Sequence, residues 1–157
     1  MSSLSTPVAR SALTSWVVAT MLLATSASSA QMDPGAVADV IEIGAGVGGF
    51  GGSLEPGDGF GAAVATLGDL NGDGTVDIAF GAPGDDDGGP QFGAVWILFM
   101  APDGTVAGEQ KISASAGGFG GSLINNGAFG DALGAPGDID GDGIDDLVVG
   151  NPRDAAG

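Results

Sequence analysis

The stretch Asp69-Leu-Asn71-Gly-Asp73-Gly-Thr75-Val-Asp77 places oxygen-bearing side chains at positions 1, 3, 5 and 9 of a nine-residue loop, with glycines at positions 4 and 6. That pattern suits a hard cation. Calcium takes about six to eight oxygen ligands, and a loop delivers them only if it curls tightly around the ion. Alternate residues point inward, and Gly72 and Gly74 permit the positive-φ turns that close the curl. Position 7, Thr75, offers its backbone carbonyl. The same frame returns 69 residues later as Asp138-Ile-Asp140-Gly-Asp142-Gly-Ile144-Asp-Asp146. Two copies in one frame argue against a chance acidic turn.

The loop does not fit an EF-hand, which needs a bidentate Glu at position 12 and a helix behind it. Position 12 is Phe80 in one copy and Val149 in the other. Ile78-Ala-Phe-Gly-Ala-Pro83 and Leu147-Val-Val-Gly-Asn-Pro152 follow the loops, and short apolar runs ended by Gly and Pro read as buried strands. A dockerin-like module is disfavoured for the same reason.

Other chemistries are excluded by composition. There is no Cys, His or Tyr. Disulfides, Cys/His zinc sites and Ser-His-Asp or Cys-His catalysis are therefore absent from this chain. Calcium is the candidate that would hold the loops in place of covalent staples. Val40-Ile-Glu-Ile-Gly44-Ala-Gly46-Val-Gly-Gly49 imitates a dinucleotide fingerprint, but the Gly- and Pro-rich residues after it cannot form the required helix. Paired carboxylates could do glycosidase chemistry, yet those here follow calcium spacing. Asp85-Asp-Asp87 reads as a solvated loop, and Trp96, amid apolar residues, reads as core rather than as a sugar platform.

The loops need a scaffold, and the repeat supplies one. Residues 48–83 and 117–152 align without a gap and are identical at 18 of 36 positions. Gly48-Gly-Phe-Gly-Gly-Ser-Leu54 recurs unchanged as Gly117 to Leu123, and Phe60-Gly61 recurs as Phe129-Gly130. A first unit spans about 42–110 and a partial second one about 111–157. Within the first, four strands are expected over Ala62 to Leu67, Asp77 to Gly81, Gly93 to Met100 and Val106 to Ser113, with Asp103-Gly104 as a hairpin turn. Tandem units of four short antiparallel strands predict an all-β fold of β-propeller blades, one complete and one partial. Phe50, Phe60, Phe119 and Phe129 recur with the unit and read as packing between blades.

Phe60-Gly61, then the acidic loop, then Phe80-Gly-Ala-Pro83 resembles the FG-GAP repeat of integrin alpha propellers and of many secreted bacterial proteins. The resemblance covers roughly residues 40–157 and implies calcium held between the first two strands of each blade. Carried over by position, the ligands are Asp69, Asn71, Asp73, the Thr75 carbonyl and Asp77, then Asp138, Asp140, Asp142, the Ile144 carbonyl and Asp146. Two departures stand out. Gly150-Asn-Pro152 replaces Gly-Ala-Pro, and Ala135-Pro136 falls where the first strand of copy two should run, predicting a short or bent strand.

Residues 1–30 read as a secretory signal, with Arg10, the apolar run Ala12 to Ala24, and the small residues Ser28-Ser-Ala30. Beyond it, two basic residues face 20 acidic ones, which argues against nucleic acid and anionic membranes as partners. A propeller typically has about four to eight blades, so residues 31–157 read as a propeller segment that needs further blades or self-association. Alone, they are expected to be poorly stable, with the Phe60 interface half exposed and an unpaired edge around Leu147-Val-Val149. The functional expectation is a secreted, calcium-binding, non-catalytic adhesion or recognition module for an extracellular protein or glycan. The alternative is the propeller region of a larger secreted hydrolase.

Overall fold

The computed structural model describes residues 19–23, 37 and 39–153. It is all-β, with eight strands and no helix among these residues. β3 (Val64–Thr66), β4 (Ile78–Ala82), β5 (Ala94–Met100) and β6 (Val106–Ile112) form one antiparallel sheet in sequence order. This meander is the complete blade, with each strand within about two residues of its predicted bounds. β4 and β5 lie in its middle and are buried on both faces, which is why Ile78 to Ala82 and Ala94 to Met100 are apolar without alternation. A bulge at Phe99/Met100 shifts the β5–β6 register before the Asp103-Gly104 turn.

β7 (Ala132–Gly137) and β8 (Asp146–Gly150) begin the second blade as a two-stranded antiparallel ladder. The strand predicted to be short or bent is bent: Gly134 pairs with Val148 and Gly137 with Asp146, and Ala135-Pro136 form a bulge between them. Proline has no N–H to give a ladder, so the bulge absorbs it. The outer edge of β8 has no strand beside it among the described residues, and Val148 is exposed.

Two apolar layers flank the complete blade. One holds Phe60, Phe80, Trp96, Leu98 and Met100 under Phe50 and Ile43. The other holds Ala79, Val95 and Ile97 against Phe129, Leu123, Leu133 and Val149 of the second copy. The recurring phenylalanines thus lie between layers as expected. The expected exposure of Phe60 is wrong: it is 2 % exposed. The Gly44 to Gly59 segment folds over it, with the Phe50 ring 5.1 Å away, and the Phe80 ring stacks on it at 5.1 Å. Trp96 is buried edge-on to Phe50, as a core residue.

The first unit is preceded by β2 (Asp39–Ile43), which pairs antiparallel with β1 (Ala19–Leu23). β1 falls inside the segment read as a secretory signal, and the rest of that segment lies outside the described residues.

The motif that frames each loop has a direct physical basis. Gly61 donates its N–H to the Gly81 carbonyl at 2.9 Å, and Gly130 donates to Gly150 at 3.0 Å. Each Phe-Gly pair is thereby fastened to a glycine at or next to the end of the second strand of its blade. Gly81 can carry no side chain, since a Cβ there would stand 1.9 Å from the Gly130 carbonyl oxygen.

Candidate metal centre

Each acidic loop links the first strand of its blade to the second, where the sheet pulls the chain ends together. In the first copy Leu67 donates to the Asp77 carbonyl at 2.8 Å and Asp77 donates to the Gly68 carbonyl at 2.6 Å. The nine residues between must therefore turn back on themselves.

The turn is organised by carboxylates accepting backbone N–H groups. Asp69 Oδ1 accepts from Gly72 and Asp73, and its Oδ2 accepts from Gly74, at 2.8–3.0 Å. Asn71 Oδ1 accepts from Asp73, and Asp73 Oδ1 accepts from Thr75. The second loop repeats this frame. Asp138 accepts from Gly141, Asp142 and Gly143, Asp140 from Asp142, and Asp142 from Ile144. Ten residues were expected to supply ligands, and both sets of five lie in these matched loops.

The side chains at position 9 reach across each loop. Asp77 Oδ2 accepts from Leu70 at 2.9 Å, and Asp146 Oδ2 accepts from Ile139 at 2.7 Å. In the second loop the carboxylates of Asp138, Asp140 and Asp146 converge, with one oxygen from each within 4.8 Å of the others. In the first loop position 3 is Asn71, and its amide donates to Asp73 Oδ2 at 2.8 Å. That donation, with the Thr75 N–H, holds the Asp73 carboxyl below the usual carboxylate range. An all-oxygen donor set with carboxylates drawn together fits a hard divalent cation and suits neither a soft metal nor an organic cofactor.

A second charged cluster was not foreseen. Asp85 is 3 % exposed, so Asp85-Asp-Asp87 is not simply a solvated loop. Lys111 of β6 places its ammonium 2.8 Å from Asp85 Oδ2 and 3.4 Å from Asp87 Oδ2, and 5.4 Å from the centre of the Trp96 ring. Burial alone would lower the Lys111 pKa, but the two carboxylates outweigh it and the net shift is upward. The hydroxyls of Ser113 and Ser115, and then Lys111, hold Asp87 below the usual carboxylate range. Burial pushes Asp58 up. Ser53, Glu55, Asp58 and Asp85 to Asp87 surround Lys111 in an open cavity of about 360 Å³. The one available signal was Lys111 itself, one of only three basic residues in a chain with 20 acidic ones.

Comparison with known proteins agrees with this geometry. The family model described as FG-GAP repeat matches residues 60–98 and 129–157. Those spans run from each Phe-Gly pair through the acidic loop into the strands that follow. Among curated proteins, the chain is 39 % identical to mouse integrin alpha-X over 94 residues, 59 % of this chain and 7 % of that protein. It is 38 % identical to human integrin alpha-7 over 97 residues, 62 % of this chain and 7 % of the relative. It is 42 % identical to Xenopus laevis integrin alpha-5 over 91 residues, 58 % of this chain and 8 % of the relative. The chain thus spans less than a tenth of the length of these relatives.

Proposed function

This chain carries FG-GAP repeats, and from that premise we propose that it is a calcium-binding part of an extracellular β-propeller that serves adhesion or recognition. The observation that carries the reading is the pair of loops with one hydrogen-bond frame, one of them with Asp138, Asp140 and Asp146 converging. Asp69, Asn71, Asp73, Asp77 and the Thr75 carbonyl would hold one calcium ion. Asp138, Asp140, Asp142, Asp146 and the Ile144 carbonyl would hold the other. An ion held by these residues would neutralise the carboxylates that each loop draws together. Its role is structural, and the recognition surface belongs to the assembled propeller. The lack of His and Cys supports a non-catalytic module, and the residues read as a secretory signal support export.

Calorimetric titration of the full chain with calcium tests the reading. Two saturable sites are expected, with dissociation constants of about 10⁻⁴–10⁻³ M, the range of extracellular calcium modules. At a hundredfold excess over the dissociation constant, each site should add about 2.7 kcal/mol of stability. Chelator should accordingly lower the melting temperature. A melting curve identical in millimolar calcium and in chelator would remove the structural role.

A further inference from the structure

We propose that Asn71 is a spontaneous deamidation site, so that the first loop loses a side-chain amide that its twin does not carry. The chain has two Asn-Gly pairs, Asn71-Gly72 and Asn126-Gly127, and the structure separates them.

The reaction needs the backbone nitrogen after the asparagine to reach the side-chain carbonyl carbon. Gly72 N forms a bond to Asn71 Cγ and loses its proton, the Cγ–Nδ2 bond breaks, and ammonia leaves. The product is a five-membered succinimide. Water then opens either carbonyl of the ring, giving aspartate or isoaspartate. The net change is one water consumed and one ammonia released.

Asn71-Gly72 lies on an exposed loop and is restrained only by bonds inside that loop. Asn71 and Gly72 are exposed, and apart from the two chain neighbours no atom lies within 4 Å of the place a Cβ on Gly72 would occupy. The side-chain amide of Asn71 is held at both ends by Asp73, which accepts from Nδ2 at 2.8 Å and donates its N–H to Oδ1 at 2.9 Å. Donation to Oδ1 polarises the carbonyl that is attacked. The contacts to open are Gly72 N–H to Asp69 Oδ1 and Asn71 Nδ2–H to Asp73 Oδ2, both exposed and both within the loop.

Asn126-Gly127 is confined instead. A Cβ on Gly127 would stand 2.9 Å from Asn151 Oδ1 and 3.0 Å from the Ile124 carbonyl oxygen. Asn126 donates its own N–H to the Pro90 carbonyl, and Gly127 donates to that of Ile124. Gly127 is buried and its turn is tied to Pro90 and Gln91, so the backbone must leave those bonds before the ring can close.

The consequence falls on the first loop. Aspartate at 71 reproduces the residue that its twin carries at Asp140, whereas isoaspartate lengthens the backbone and breaks the 1-3-5-7-9 spacing. If the loop holds calcium, as proposed above, the ion engages the Asn71 carbonyl oxygen and fixes the turn, so occupancy slows the reaction.

The test is peptide mapping by mass spectrometry of the full chain aged in mildly alkaline buffer, with chelator, with calcium and in denaturant. In chelator, Asn71 should lose its amide several-fold faster than Asn126, and in denaturant the two should become similar. Asn71→Gln should abolish the loss from its peptide. Equal native rates, a faster Asn126, or the same ratio folded and denatured would overturn the proposal. Slowing of Asn71 alone by calcium supports both this proposal and the cation reading. Fast Asn71 loss that calcium leaves unchanged supports the deamidation site while counting against calcium in the first loop.

Discussion

The two acidic loops share a hydrogen-bond frame and differ in what stands behind them. In the first copy Asp77 is fully buried, and its Oδ1 accepts the Met100 N–H of β5 at 3.0 Å. One carboxylate therefore ties the loop, through Leu70, to the third strand of the blade. In the second copy Asp146 is half-buried and accepts only from Ile139 among the described residues. The same aspartate is a cross-strand anchor in a four-stranded blade and a loop residue in a two-stranded one. The repeat sequence alone thus does not fix what a residue does; the strands that flank it do.

The apolar layers give the strongest test of how alike the copies are. Phe60 and Phe129 occupy the same repeat position, with 2 % and 5 % exposure. Phe60 is covered by its own Phe50 segment and Phe129 by Phe119 and the neighbouring blade. Replacing either with Ala should cost about 3–5 kcal/mol, the usual range for a buried phenylalanine. Denaturant unfolding measures it. A Phe60→Ala cost near that of a surface substitution would restore the expectation of an incomplete first layer.

The Lys111 cluster sharpens the contrast, because two of its three aspartates, Asp86 and Asp87, have alanine at the matching positions of the second copy. By the repeat, Asp85-Asp-Asp87 corresponds to Asp154-Ala-Ala156, outside the described residues. Lys111→Met strands the buried Asp85 carboxylate and should cost about 3 kcal/mol, the lower end for a broken buried pair. The cluster also sets a pH dependence. Asp87 has a lowered folded pKa, so its contribution is present above the unfolded carboxylate value and lost as pH falls through the folded one. Asp58 has the opposite sign: its raised pKa favours the fold at low pH, and that contribution is lost as pH rises through the folded value. Asp87→Asn should flatten the acid limb of the stability profile, and Asp58→Asn should relieve the penalty near neutrality. Melting temperatures across pH would show an unchanged acid limb in Asp87→Asn if the pairing is unimportant.

The anchor itself should show the next effect. Asp77→Ala leaves the N–H groups of Leu70 and Met100 without their acceptor, while Asp146→Ala leaves only that of Ile139. An unsatisfied buried donor costs about 1–3 kcal/mol, so the first substitution should exceed the second by about 2 kcal/mol. Measuring both in chelator keeps cation binding out of the difference. Equal costs would mean that the β5 contact adds nothing.

The sequence made the loops, the four strands of the first blade and the bend at Pro136 legible, because each follows from local spacing. Strand bounds rest on period and turn residues, and the loop rests on a pattern of oxygens. What it hid depends on distant partners. Asp77 meets Met100 and Asp85 meets Lys111 across 23 and 26 residues, with no local sign of either. The burial of Phe60 was missed because only a neighbouring blade was counted as its cover, whereas the Gly44 to Gly59 segment, anchored by Phe50, covers it from within the same unit.

The smallest expected effect lies at one turn. Gly59 adopts a φ of 69°, and at the matching position of the second copy Ala128 adopts a φ of 63°. A left-handed backbone costs an L-residue about 1–2 kcal/mol relative to glycine. Ala128 accepts that strain because its neighbours hold it: its N–H donates to the Gln91 carbonyl, and its own carbonyl accepts from Asp131. Ala128→Gly should therefore stabilise the chain by up to about 1 kcal/mol, part of the relief being offset by the greater freedom of glycine in the unfolded chain. Gly59→Ala should destabilise by a comparable amount. The pair of substitutions is a swap between copies, and their effects should be opposite in sign and near additive, since the two turns share no partner. If both destabilise, Ala128 is held by packing that its buried methyl supplies, and the second turn is adapted to alanine rather than strained by it.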